Sequence, residues 1–126
     1  MPHQPCPFCS LSAERIVFQN ELAIAFLDAF PVTNGHALVV PKRHVEDYFG
    51  LTRDELAACD ELLHALRRDV MARDPPVQGF NIGMNAGQAA GQTVFHSHIH
   101  LIPRRHGDVE SPRGGVRHVI PGKGHY

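Results

Sequence analysis

Three histidines at alternate positions form the most reactive pattern in this chain of 126 residues, which contains ten histidines in all. His96, His98 and His100 would share one face of an extended chain, because alternate side chains of a strand point the same way. A neutral imidazole can attack phosphorus through one ring nitrogen when an acceptor holds the proton on the other nitrogen. Imidazoles grouped in this way can also bind a metal ion. The pattern therefore predicts either covalent catalysis on phosphorus or metal binding.

Two cysteines near the amino terminus predict a metal site. Cys6 and Cys9 have a spacing that, in an intracellular protein, favours metal or redox chemistry over a structural disulfide. A structural zinc ion takes four ligands, so these thiolates need two more, typically histidines from elsewhere in the chain. The third cysteine, Cys59, falls within an apolar helical stripe and is predicted to be a buried small hydrophobe.

A glycine-containing loop directly precedes the histidines. Gly87 and Gly91 allow the backbone to come close to a ligand, and Gln92 and Thr93 add an amide and a hydroxyl. Displacement at phosphorus requires positioning and stabilisation of charge on the phosphate oxygens. The sequence therefore predicts that this loop contacts phosphate.

Composition limits the classes of partner and the location. The formal net charge of -1 argues against general nucleic-acid binding through bulk charge. The sequence has no apolar run of the roughly 20 residues that a membrane span needs. Residues 1–10 lack the basic start and the apolar stretch of a secretory signal. We therefore expect one cytoplasmic domain over residues 1–126, with no nucleic acid and no membrane among its partners.

The elements that must position these residues are five strands and one long helix. Hydrophobic patterning and turn residues predict strands over residues 15–20, 23–27, 36–40, 80–84 and 99–102. Thr52 followed by Glu55 is a capping-box pattern, and apolar residues then recur at helical spacing up to Val70. Pro75 and Pro76 end this helix near residue 73. The predicted fold class is α+β.

The remainder of the chain, residues 104–126, is predicted to be an irregular basic tail. Glycines and prolines recur there, and basic residues outnumber acidic ones. The tail is expected to pack over the domain or onto a partner subunit. Arg113 or Arg117 is a candidate for contact with distal phosphates or with the other subunit; the alternative is a solvated basic surface.

The residues from Asn85 to Arg104, NAGQAAGQTVFHSHIHLIPR, resemble the signature of the histidine triad (HIT) superfamily, in which three histidines follow a phosphate loop. Two upstream segments, residues 25–28 and 35–44, resemble the same family, so the resemblance covers the chain up to Asp108. It implies the HIT fold, a five-stranded antiparallel sheet with one long helix and a short helix. It also implies a homodimer in which the sheet continues across the two subunits.

The resemblance implies roles for individual residues. His98, the middle histidine, would be the nucleophile, and His100 would hold the phosphate or leaving group and orient His98 through its backbone carbonyl. His36 would support the triad without contacting the substrate itself, and Asp28 would bind the ribose hydroxyls. The α-phosphate and the bridging group would be contacted by four loop residues, Asn85, Gly91, Gln92 and Thr93.

Bacterial-type HIT proteins with an amino-terminal cysteine pair use the first triad histidine as a zinc ligand. This resemblance nominates His96 and, as the fourth ligand, His44, with His3 as an alternative. The zinc ion would be structural, because it would tie the amino-terminal segment, residues 1–10, to the triad strand without joining the chemistry.

Ser97 departs from the family pattern. It occupies a triad position that is usually apolar, and its side chain is expected to point toward the core. A buried hydroxyl is costly unless it is hydrogen-bonded, so Ser97 is expected to find a partner there.

The resemblance implies a hydrolase or transferase that acts on a purine nucleotide and carries structural zinc. Residues 92–94 and 103–108 resemble the dinucleoside polyphosphate hydrolase branch more than the phosphoramidase branch, so diadenosine polyphosphates are the leading substrate class. An adenosine 5′-phosphoramidate hydrolase and a nucleotide-binding module with vestigial activity are alternatives. The residues alone leave a further alternative, a zinc-dependent hydrolase in which all three triad histidines hold a catalytic metal.

Overall fold

The last histidine of the triad lies in a five-stranded antiparallel sheet, and one long helix packs against this sheet. The computed structural model describes residues 6–126. The strands are β1 (Ile16–Gln19), β2 (Ala23–Leu27), β3 (Ala37–Pro41), β4 (Val77–Gly83) and β5 (Ile99–Arg105), in the spatial order β1-β2-β3-β5-β4. Helix α1 spans Arg53–Arg73 between β3 and β4. The predicted α+β fold with five antiparallel strands and one long helix is confirmed.

Helix α1 begins at the predicted capping box. The Thr52 hydroxyl accepts a hydrogen bond from the N–H of Glu55 at 3.0 Å, and the Glu55 carboxylate accepts one from the N–H of Thr52 at 2.9 Å. The helix ends at Arg73, as the following prolines predict. Cys59 is buried on its inner face, and burial raises the pKa of this thiol to about 11, as expected of a small hydrophobe. The core that joins the helix to the sheet contains Ala23, Ala25, Ala37, Val39, Cys59, Leu62, Leu66 and Leu101.

Asn20 fixes the hairpin of β1 and β2 against the helix. Its side-chain oxygen accepts hydrogen bonds from the N–H groups of Leu22 and Ala23 at 3.1 and 2.9 Å. Its side-chain amide donates to the carbonyl of Ala58 in α1 at 2.8 Å. One asparagine can serve a turn and a neighbouring element together because it carries both an acceptor and donors.

Glu55 also ties the chain that leaves β3 to the start of the helix. Its buried carboxylate accepts hydrogen bonds from the Arg43 guanidinium at 2.7 and 3.0 Å, and these bonds lower the pKa of Glu55 to about 2. A two-pronged ion pair of this kind sets orientation as well as distance. The segment that carries His44 is therefore held beside the first turn of α1.

The two strands after the helix are longer than predicted. β4 starts at Val77 and not at residue 80, because Val77 is fully buried directly after the prolines. β5 continues through Pro103 to Arg105 and does not stop at residue 102. A proline is tolerated there because β3 pairs only with residues 99–101, which leaves Pro103 with a strand neighbour on one side. The irregular tail accordingly begins after Arg105.

Only the last of the three alternate histidines lies in a strand. β5 begins at Ile99, so His96 and His98 lie in the irregular segment that leads into it. The predicted start of the fifth strand at residue 99 is thus confirmed, and the alternate histidines do not lie in one regular strand. Each ring is positioned by its own contacts, which are described below.

The short helical elements are 3-10 turns. They lie at Ala13–Arg15 before β1, at Tyr48–Gly50 before α1, at Gln88–Ala90 in the glycine loop and at Gly115–Val119 in the tail. The turn Gly115–Val119 contacts β4. The tail therefore packs over the domain, which is one of the two arrangements that the sequence predicted. None of the helices in the described part of the chain is both long and apolar enough to cross a membrane.

Several basic side chains at the end of β5 and in the tail contact aromatic or acidic residues of the tail. The guanidinium groups of Arg113 and Arg117 lie 4.9 and 4.7 Å from the centre of the Tyr126 ring. Arg104 pairs with Asp108 at 2.7 Å. A cationic group over an aromatic face is attracted by the ring quadrupole, so these contacts hold the tail together. A phosphate contact for Arg113 or Arg117 stays a prediction.

The hydroxyl of Ser97 is buried without a partner. The residue is 1% exposed, and its side-chain oxygen meets no hydrogen-bond donor or acceptor among residues 6–126. Its backbone N–H donates to the carbonyl of Val45 at 2.6 Å, so the main chain itself is satisfied. The expectation that this hydroxyl finds a partner is wrong for the described residues.

We expect Ser97→Ala to raise the free energy of unfolding by about 1 kcal/mol, because it removes an unsatisfied buried hydroxyl and keeps the backbone hydrogen bond. Chemical denaturation of the wild type and the variant measures the difference. Ser10→Ala, at an exposed position, is the matched control and should change nothing. A less stable Ser97→Ala protein would contradict this reading of the core.

Candidate active site and metal centre

Side chains from three parts of the chain converge beside the triad. Sγ of Cys6 lies 3.4 Å from Nδ1 of His96, and Sγ of Cys9 lies 3.4 Å from the same nitrogen. Sγ of Cys9 also lies 3.2 Å from Nδ1 of His44, and all four ligand atoms lie within 4.8 Å of one another. A tetrahedral zinc ion places neighbouring sulfur and nitrogen ligands about 3.5 Å apart. The structure thus brings together the four predicted ligands with a spacing that fits zinc.

The ring of His96 is held in the tautomer that a metal ligand needs. Its Nε2 lies 2.8 Å from the carbonyl oxygen of Pro41. A carbonyl only accepts, so Nε2 carries the proton and the lone pair is on Nδ1, which faces the cysteines. Burial lowers the pKa of His96, which keeps the ring neutral at neutral pH. The alternative ligand, His3, lies outside the described residues.

The backbone of His96 orients the predicted nucleophile. Nδ1 of His98 lies 2.8 Å from the His96 carbonyl oxygen, so Nδ1–H donates and Nε2 keeps its lone pair. The expectation that the His100 carbonyl does this is wrong. His98 lies in the irregular segment before β5, where the chain turns the carbonyl two residues back toward the ring.

Phe8 covers the two histidines from the side of the cysteines. Its ring centre lies 5.1 Å from that of His98 and 5.9 Å from that of His96, both with edge-to-face geometry. It also lies 5.4 Å from the ring centre of Phe26. Such contacts restrict the planes of the rings. The sequence analysis did not identify Phe8 as a site residue. Its position between the two cysteines was a possible signal, because a turn that binds a metal ion also fixes the side chains between its ligands.

A chain of hydrogen bonds places the proton on the third triad histidine. The N–H of Val32 donates to Nδ1 of His36 at 3.1 Å, so the proton of the neutral His36 ring is on Nε2. That nitrogen lies 2.9 Å from Nδ1 of His100, which must accept and carry its own proton on Nε2. Burial lowers the pKa of both rings, which keeps them neutral at neutral pH. The His98 and His100 ring centres are 5.2 Å apart, so a lone pair lies beside an N–H donor.

Asp28 adjoins this chain, and the spacing of the cluster alone would suit a metal ion. Its Oδ2 lies 3.5 Å from Nε2 of His36, and the ligand atoms of Asp28, His36 and His100 lie within 4.8 Å of one another. The proton on Nε2 of His36, however, leaves no lone pair there for a metal. The alternative of a catalytic zinc on all three triad histidines has no support either. Their rings face three different partners within the described structure.

The glycine loop uses several of its amides to hold itself together. The N–H of Gly91 donates within the loop, and that of Gln92 donates to the carbonyl of Gly87. The buried side chain of Gln92 accepts from the N–H of Gly87 at 2.8 Å and donates to the carbonyls of Glu46 and Val94 at 2.6 and 3.1 Å. The structure therefore places Gln92 as a brace between the loop and the segment before α1. The backbone N–H groups of Gly91 and Gln92 are therefore already paired, and contact of these two residues with phosphate stays a prediction.

Two of the predicted phosphate contacts remain available. Asn85 is half-buried and borders the same cavity as His100, and Thr93 is exposed after the loop. Gly91 adopts a φ of 96°, a conformation that side chains rarely adopt, which lets the chain turn toward Thr93. Asn85 and Thr93 therefore stay candidates for contact with phosphate.

Comparison with known proteins covers the triad, the glycine loop and the sheet. The family model of the HIT domain matches residues 11–107. Protein hit of Bacillus subtilis strain 168 is 44% identical over 106 residues, which cover 79% of this chain and 70% of that protein. An uncharacterized HIT-like protein of Methanocaldococcus jannaschii is 37% identical over 119 residues, which cover 90% of this chain and 91% of that protein.

Solved structures share the fold. A zinc-bound histidine triad family protein from Mycobacterium smegmatis has a TM-score of 0.74 and 37% identity, over 84% of this chain and 79% of that chain. A hypothetical histidine triad nucleotide-binding protein from Sulfolobus tokodaii strain 7 has a TM-score of 0.74 and 35% identity, over 82% and 71%. The NitFhit protein of C. elegans also has a TM-score of 0.74, with 34% identity, over 86% of this chain and 26% of that chain.

We expect the purified protein to hold about one zinc ion per chain, and Cys9→Ala to lose it, because three ligands no longer close a tetrahedral site. Metal analysis and thermal unfolding, each with and without a chelator, measure this, and the melting temperature should fall when zinc is removed. Cys59→Ala removes a thiol outside the cluster and should retain the ion. Full zinc content in Cys9→Ala would contradict the assignment.

The pH dependence of stability should reflect the neutral histidines. The pKa values of His36 and His100 are lowered from the usual 6.5, so below that pH the unfolded chain binds protons that the folded rings resist. The free energy of unfolding should therefore be highest above pH 6.5 and fall as the pH drops below it. Denaturation curves at several pH values test this. His36→Gln should flatten the fall and exposed His64→Gln should not, and an unchanged profile in His36→Gln would refute the explanation.

Proposed function

This chain belongs to the HIT domain family, and we propose that it hydrolyses or transfers nucleotides through a covalent nucleotidyl intermediate on His98. One observation carries the proposal. The hydrogen bond from Nδ1–H of His98 to the carbonyl of His96 leaves Nε2 with its lone pair in a fixed orientation. An oriented and neutral ring nitrogen is a nucleophile for phosphorus. His98 is only 9% exposed, so little of its ring is open to solvent.

The reaction consists of two displacements. In the first, Nε2 of His98 attacks the α-phosphorus, a P–N bond forms, and the P–O bond to the leaving group breaks with its electron pair. In the second, water attacks the same phosphorus and the P–N bond breaks, which returns the lone pair to Nε2 and releases a nucleoside monophosphate. The proton lost by the water goes to solvent.

His100 is proposed to stabilise the charge that develops on the phosphate. The relay from Val32 through His36 supports a donor role, because it leaves the proton of His100 on Nε2. The amide of Asn85 and the hydroxyl of Thr93 are proposed as further donors. Donors that are oriented before the reaction stabilise the transition state without reorganising.

Asp28 is proposed to hold the ribose hydroxyls. Its Oδ1 accepts a hydrogen bond from the N–H of Phe30 at 2.9 Å, while Oδ2 lies near His36. A carboxylate has about four acceptor positions, so capacity remains for two hydroxyl donors. The side chain is 17% exposed, which leaves it within reach of a ligand at the surface of the site.

We propose a purine nucleotide as the transferred group and a dinucleoside polyphosphate as the substrate, with adenosine 5′-phosphoramidate as the alternative. The Sulfolobus tokodaii structure, which carries nucleotide binding in its name, supports a nucleotide ligand. The segments after the loop and after the triad support the polyphosphate branch by resemblance.

Zinc is proposed as a structural cofactor held by the four-residue cluster, which the zinc-bound Mycobacterium smegmatis structure supports. A cytoplasmic location, where thiols stay reduced, suits the same cluster. We also propose a homodimer. β4 lies at one edge of the sheet, so a second copy could extend the sheet there.

We expect the wild type to convert diadenosine tetraphosphate to AMP and ATP, and His98→Ala to lose at least about a thousandfold in turnover, because the nucleophile is removed. Product chromatography with this substrate and, separately, with adenosine 5′-phosphoramidate measures both. Exposed His64→Ala is the matched histidine control and should retain activity.

Normal turnover by His98→Ala would contradict the covalent mechanism, provided that its zinc content is intact. Preferential cleavage of the phosphoramidate by the wild type would replace the proposed substrate with the alternative. Tight AMP binding without turnover of either compound would favour a binding module.

A further inference from the structure

A cavity of about 820 Å³ opens beside the triad, between the sheet and the tail. His100 and Asn85 lie at the end of the cavity that belongs to the site described above, and the tail turn Gly115–Val119 contributes to the opposite wall. His98 does not line it. The cavity therefore adjoins the proposed position of the phosphates but extends away from the nucleophile.

The walls of this cavity are largely apolar. Ile82 and Ile102 contribute from the sheet, Met84 from the residue after β4, and Val116 and Val119 from the tail. Ile82, Val116 and Val119 are 55, 62 and 77% exposed, which is unusual for three apolar side chains that line one space. Ligand pockets are typically apolar with a few polar groups at one end, and they measure about 300 to 1,000 Å³.

The charge on the walls argues against a chain of phosphates inside. Arg104 is the single lysine or arginine among the described lining residues, and its guanidinium donates to both carboxylate oxygens of Asp108 at 2.7 and 2.8 Å. A further N–H of Arg104 donates to Asn81 at 2.7 Å. Three of the five N–H donors of Arg104 are therefore occupied, and Asp108 balances its charge. The cavity thus suits an uncharged group.

We propose that this cavity binds the second nucleoside of a dinucleoside polyphosphate, as the end of the leaving group that is remote from the reaction. This inference rests on the proposed function and deepens it. With the α-phosphorus at His98, the phosphate chain passes His100 and Asn85, and the distal nucleoside enters the apolar space. An adenosine 5′-phosphoramidate substrate releases only ammonia and would leave the cavity empty, so the cavity separates the two substrate classes.

The test substitutes the two tail valines that line the cavity and leaves the triad unchanged. We expect the double variant Val116→Asn with Val119→Asn to raise KM for diadenosine tetraphosphate about tenfold, since apolar contact with the base is lost. Its kcat/KM for adenosine 5′-phosphoramidate should stay within about twofold of the wild type, because that leaving group never reaches the wall. Ile120→Asn is the matched control. Ile120 is 58% exposed in the same tail and does not line the cavity, so both substrates should be unaffected.

A binding measurement separates failure of this inference from failure of the proposed function. Calorimetry with a methylene-bridged diadenosine tetraphosphate analogue and with AMP should show tighter binding of the analogue, and the double variant should remove that difference. Equal effects of the variant on both substrates, or an unchanged difference in affinity, would overturn the cavity assignment even with full activity. Absence of turnover by the wild type would overturn the proposed function, while the binding comparison would still decide the cavity.

Discussion

Three contacts made by His96 connect the parts of this site. Its Nε2–H donates to the carbonyl of Pro41 at the end of β3, its Nδ1 faces Cys6 and Cys9, and its own carbonyl holds the ring of His98. The residue is fully buried, so these contacts and not solvent determine where it lies. A displacement at the candidate metal cluster would therefore reach His98, the proposed nucleophile, through one residue.

Backbone groups decide where the protons of the triad lie. The carbonyl of His96 leaves the lone pair of His98 on Nε2, whereas the N–H of Val32, by way of His36, leaves the proton of His100 on Nε2. The arrangement works because burial keeps His36 and His100 neutral, and a neutral imidazole has one donor and one acceptor. The proposed nucleophile and the proposed charge-stabilising donor are thus the same residue type, with ring centres 5.2 Å apart.

The turn at residues 6–10 and the tail lie beside different members of the triad. The amino-terminal turn places Phe8 against His98 and His96 and brings its cysteines to the metal cluster. The tail lies on the side of His100, where Gly115–Val119 forms a wall of the apolar cavity. The first contact restricts the ring of His98, and the second bounds the cavity beside His100. The proposed zinc site and the proposed nucleoside pocket thus lie beside different members of the triad.

The sequence by itself determined the features that depend on local spacing. The capping box at Thr52, the strand at residues 23–27, the cysteine pair and the alternate histidines were all legible because each involves neighbours along the chain. Only the tertiary structure decided which carbonyl orients His98, on which nitrogen His36 carries its proton, and that Gln92 braces the loop. These depend on the direction of backbone groups from remote segments, and residue types do not encode direction until the chain has packed.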